Sequence, residues 1–102
     1  MTQYSLNQRQ ALAARTLLSC SNLGSHPIIQ KHTDPDTNFY DFEAMIDFRW
    51  SSGEITLLAI LKTIVTQYGE IDYRGILNLD ETNRGAVGLA LEIGLGLREV
   101  TV

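Results

Sequence analysis

Cysteine occurs once, at Cys20, so no disulfide can form within the chain. A lone thiol fits a reducing compartment, and a cytoplasmic location is expected. Basic residues are also scarce: eight Lys and Arg against twelve Asp and Glu leave a net charge of −4. Affinity for nucleic acid rests mainly on phosphate contacts from Lys and Arg. Here Arg9, Arg15, Lys31, Arg49, Lys62, Arg74, Arg84 and Arg98 stand singly along the chain, so a nucleic-acid-binding module is a disfavoured alternative. Long apolar runs are missing too. The longest, 55–65, is broken by Thr56, Lys62 and Thr63 and falls short of the ~20 residues needed to span a bilayer, so no membrane partner is expected. Residues 1–10 are polar and lack the apolar centre of a signal peptide.

What is present fits one folded domain. A chain of 102 residues is long enough for a core and too short for two. Hydrophobic residues at 44% and charged residues at 20% give a globular balance rather than a disordered one. The clearest stretch begins at Ser51-Ser52-Gly53-Glu54, a capping box in which each side chain satisfies a backbone N–H at a helix start. Trp50 and Ile55 occupy the flanking positions of a hydrophobic staple, and Gly69 supplies a left-handed terminator. Leu57, Leu58, Ile60, Leu61, Ile64, Val65 and Tyr68 fall in one broad arc at helical spacing, which predicts a central helix over 51–68.

Around it, Leu6, Ala13, Ala14, Leu17 and Leu18 predict a first helix opening at Ser5, with Gly24 beyond its end. Residues 25–38 hold both prolines and a run of Thr, Asp and Asn, and read as a loop. From 39 to 50 the pattern alternates. Tyr40, Phe42, Ala44, Ile46, Phe48 and Trp50 form one face and Asp41, Glu43, Met45, Asp47 and Arg49 the other, which predicts a half-buried strand. Ile71, Tyr73, Leu77 and Leu79 suggest a second strand over 71–79. Residues 86–98 fit either a helix or a strand. The preferred reading is a helix from Asp80 to about Ile93, a turn using Gly94 and Gly96, and a last strand over 97–102; a hairpin of 71–79 with 86–98 is the alternative. The expected fold is α+β: one domain, 1–102, with a twisted sheet of about three strands packed on two or three helices.

Chemistry is thin. Asp34-Pro35-Asp36-Thr37-Asn38 imitates the opening of a calcium-binding loop, but Phe39 and Met45 stand where that loop needs Gly and a bidentate Glu. Cys20, His26 and His32 are spaced too widely for the tight pairs of a zinc site, so no metal and no cofactor is expected. Cys20 lies near a helix C-terminus, where the dipole opposes a thiolate, and is not expected to be a nucleophile. Gly94-Leu95-Gly96 is followed by Glu99 where the dinucleotide fingerprint has its third glycine.

The least ordinary feature is the outer strand face of Asp41, Glu43, Met45, Asp47 and Arg49, read as a partner-binding surface, acidic with one apolar residue. The favoured function is a non-catalytic protein-interaction domain: a regulator, inhibitor or small subunit of a cytosolic assembly. The alternative is a small enzyme whose site forms between subunits from His32, Asp34 or the strand carboxylates. Self-association through residues 86–97, where Glu92 is the only charged side chain, predicts a homodimer.

Overall fold

A computed structural model describes residues 3–99 of the chain. Six α-helices carry most of it, with one two-stranded sheet: α1 (Gln8–Cys20), α2 (Pro27–His32), β1 (Thr33–Asp34), β2 (Phe39–Tyr40), α3 (Phe42–Met45), α4 (Ser52–Thr66), α5 (Tyr73–Leu77) and α6 (Glu81–Gly94). The α+β expectation is therefore overturned: the protein is mainly helical, and the sheet has two strands of two residues each rather than three.

Three helices build the core. Asn7 caps α1 by accepting the Gln10 N–H at 2.8 Å, and the helix turns Ala13, Ala14, Leu17 and Leu18 inward. α1 packs most extensively along α6, and α4 lies against both. At Gly94 α6 lies close against α1. A Cβ there would sit 3.3 Å from Gln10 Oε1 and 3.4 Å from Ala13 Cβ, and the Gln10 amide donates to the Gly94 carbonyl at 2.7 Å. The preferred helix over 80–93 is what forms: Asp80 caps it through the Asn83 N–H at 2.8 Å. Leu97 to Glu99 are not a strand, and the remainder of that expected strand lies outside the described residues.

α4 begins as its sequence requires. Ser51 Oγ accepts the Glu54 N–H at 3.2 Å while Glu54 Oε1 accepts the Ser51 N–H at 2.9 Å. Leu57, Ile60, Leu61, Ile64 and Val65 are buried. Its end differs from expectation. Gln67, not Gly69, takes the left-handed position, at φ 58°, and its N–H donates to Thr63 O at 2.8 Å.

The strand expected over 39–50 fails after two residues. Thr33 pairs with Tyr40 and Asp34 with Phe39, and then Asp41 accepts the Ala44 N–H at 3.2 Å and starts α3. Phe42 and Met45, three apart, become the buried pair, while Ile46 and Phe48 are left exposed. An N-cap carboxylate thus overrides an alternating pattern. Asp72 does the same to the strand expected over 71–79, accepting the Gly75 N–H at 3.1 Å and opening α5. The loop expected over 25–38 holds α2, β1 and a 3-10 turn at Pro35–Thr37, with His26 and Pro27 starting the helix.

Candidate functional site

An apolar surface opens where the chain leaves α3 and enters α4. Phe48 N–H donates to the Met45 carbonyl at 3.2 Å, and the Trp50 indole donates to the same oxygen at 2.9 Å. This doubly used carbonyl folds 46–50 into a tight turn. It sets the two rings edge to face, with centroids 4.9 Å apart.

His26 packs behind them, 4.6 Å from Trp50 and 5.2 Å from Phe48 between ring centroids. Its Nδ1 accepts the Ile28 N–H at 3.1 Å, capping α2. That assigns the hydrogen of the neutral ring to Nε2, which faces Glu54 Oε2 at 3.6 Å. The Glu54 carboxyl is held below its ordinary value, first by the Ser51 backbone N–H, with lesser help from the Ser51 hydroxyl and from His26. The capping box of α4, the cap of α2 and the aromatic pair are therefore one connected unit.

In front of this unit is an apolar groove of about 320 Å³, walled by Phe42, Ile46, Phe48 and Trp50 on one side and by Ile55, Leu58, Ala59 and Lys62 on the other. The α4 residues recur at i, i+3, i+4 and i+7, so this helix carries a second apolar stripe outside the one it buries. Ile46 is 65% exposed and Ile55 54%. A smaller depression of about 190 Å³ adjoins the groove, sharing Phe42, Ile46 and Lys62 and adding Tyr4, Tyr40, Asp41 and Glu43. The two adjoining depressions form a trough, apolar at one end and at the other bearing Asp41 and Glu43 against Lys62.

The residues expected to form a partner-binding strand face are dispersed. Met45 is fully buried in the core. Asp41 is half-buried as the α3 cap, and Glu43 is exposed on α3. Asp47 and Arg49 are exposed in the turn that follows. Of the five, Asp41 and Glu43 reach the trough. The inter-subunit candidates are separated in role as well: His32 is half-buried at the end of α2, and exposed Asp34 accepts the Asp36 N–H at 3.2 Å. Cys20 is exposed at the C-terminus of α1. Among the described residues, no group of three or more His, Cys, Asp or Glu side chains is placed to hold a metal ion. No helix among them is long and apolar enough to cross a membrane.

Two larger depressions have mixed polar and apolar linings, and several of their polar groups are already bonded within the chain. In one of about 660 Å³, Ser21 Oγ accepts the Leu23 N–H, Ser25 donates to Asn22 O, and Gln30 donates to Gly24 O. In one of about 420 Å³, Arg98 is paired with Glu92 at 2.8 Å.

Sequence reasoning missed Ile46, Phe48 and Leu58 as groove residues. The available signal was the width of the apolar arc of α4, too broad for one buried face once Ile55, Leu58 and Ala59 are included. Comparisons with protein-family models, with curated proteins and with solved structures found no significant match to the chain.

Proposed function

We propose that this chain is a non-catalytic protein-interaction domain that docks a protein partner in the trough between α3 and α4. The observation that carries the reading is the exposed apolar stripe of α4 facing Ile46, Phe48 and Trp50. Contiguous apolar surface rimmed by charge commonly marks a binding site. The rigid backing suits the role: Trp50, His26 and Glu54 are tied to helix caps, so the wall is formed before a partner arrives. A cytosolic assembly is the setting we favour, from the single cysteine and the acidic composition.

A photo-crosslinking amino acid at Ala59, used in cells of the source organism, tests this. A defined protein adduct is expected from Ala59 and none from Arg84 on the exposed side of α6, with loss of the adduct on Ile55→Glu. The absence of an adduct, or the same adducts from both positions, would overturn the reading.

A second reading is self-association. Tyr68, Ile71 and Leu95 line a depression beside the C-terminal end of α6, and Leu95 and Leu97 are 71% and 75% exposed. Ala86, Val87, Ala90 and Ile93 are consumed by the core, so a homodimer would use the residues just past α6 rather than the whole of 86–97.

A further inference from the structure

We infer that the partner segment seated in the trough is an amphipathic helix, with apolar anchors toward Ile55 and Leu58 and a basic residue beyond them at the Asp41–Glu43 end. This rests on the interaction-domain reading above and adds the chemistry of the partner.

The shape argues for a helix. Ile55, Leu58, Ala59 and Lys62 span two turns of α4, roughly 10 Å along its axis. Small Ala59 in the middle lets a second axis approach to the roughly 8–10 Å of packed helices. The facing wall of Ile46 and Phe48 receives the flank of such a helix, whose anchors would recur at three- and four-residue spacing.

Charge decides what flanks the anchors. Between residues 41 and 62 the chain carries Asp41, Glu43, Asp47 and Glu54 against Arg49 and Lys62. Glu54 is engaged with Ser51 and His26, whereas Glu43 and Asp47 are exposed and form no salt bridge among the described residues. Lys62 lines both halves of the trough, where a lysine stem covers apolar surface and holds its ammonium in water. With Lys62 counted, the Asp41–Glu43 end still carries one negative charge more than positive, so an acidic segment is disfavoured there. A basic one completes the field and gains in association rate and selectivity.

The test uses two synthetic peptides of about 15 residues, stapled to be helical. Both carry Leu at i, i+4 and i+7, one with Lys and the other with Glu one turn beyond the last Leu. Titrated against the intact protein by calorimetry, the Lys peptide is expected to bind at least about tenfold more tightly than the Glu peptide. Ile55→Glu, whose side chain is exposed and whose circular dichroism should be unchanged, abolishes both interactions. Glu43→Lys, at the carboxylate end of the trough, reverses the preference. Equal affinity for the two peptides, or no binding of either, overturns the inference. So does a dimer of the unliganded protein that Ile55→Glu dissociates, since a second copy would then be the occupant. If the peptides fail while Ala59 still yields its adduct in cells, the interaction-domain reading stands and the basic helix alone is rejected.

Discussion

Trp50 holds its own turn closed by donating its indole N–H to the Met45 carbonyl at 2.9 Å, across five residues. The same oxygen receives the Phe48 N–H, so one carbonyl governs the wall of the trough. Trp50→Phe keeps most of the packing and loses this bond, and should cost about 1 kcal/mol in urea melts. Trp50→Ala also removes half-buried aromatic surface and should cost about 3 kcal/mol, the lower part of the range for aromatic truncation. An unchanged midpoint for both would mean that the turn is held by something else.

The capping box makes stability depend on acid. Because Glu54 has a depressed carboxyl pKa, its contribution is present above the ordinary value of 4.5 and is lost as pH falls through the lower folded value. The wild type should exceed Glu54→Gln at neutral pH, and the gap should close as pH falls below 4.5. Ser51→Ala should lose about 1 kcal/mol by removing the reciprocal hydroxyl. Denaturant titrations over this pH range check both.

Tyr40 is fully buried, and its hydroxyl has no hydrogen-bond partner among the described residues. Tyr40→Phe removes that orphan and should raise stability by about 1 kcal/mol. Burial also pushes the phenol up from 10.0 to about 12. The sign follows from the unfolded chain ionising first: stability is undiminished below pH 10.0 and falls as pH rises toward about 12. The Phe variant should lose part of that alkaline slope in thermal melts.

Glycines separate cleanly by environment. A Cβ at Gly88 meets nothing within 4 Å, so Gly88→Ala should stabilise α6 by about 1 kcal/mol. A Cβ at Gly24 would lie 2.1 Å from the Leu18 carbonyl oxygen, so Gly24→Ala should destabilise the fold severely. Paired melting curves with opposite shifts are the expected result.

Size exclusion with light scattering tests self-association. A dimer that dissociates on Leu95→Glu, with helicity retained, is expected. A mass near 11.4 kDa at working concentration would remove the homodimer.

Helices were legible in this sequence wherever cap and apolar stripe agreed. Ser51 with Glu54, and Asp80 with the buried residues of α6, combined both signals, and those helices formed. Strands were misread where a cap and a pattern disagreed. Asp41 and Asp72 each sit one residue before an apolar side chain within an alternating run, and in both places the local hydrogen bond prevailed. A strand also needs neighbours, and β1 and β2 offer only two residues each. The trough was only partly readable. The outer stripe of α4 is periodic in sequence, but its opposite wall depends on Met45 being buried and its carbonyl turning the chain, which no periodicity records.

The bond between Gln10 of α1 and Gly94 of α6 joins residues 84 apart in sequence. The main helix pair of this protein is therefore a non-local one, and the cost of closing that loop must be met before its contacts form. A growing chain that has not yet made α6 leaves α1 without its principal packing partner. Folding should then wait until α6 has been made. Protease sensitivity should persist in arrested chains ending before Glu81 and disappear once Gly94 has cleared the ribosome.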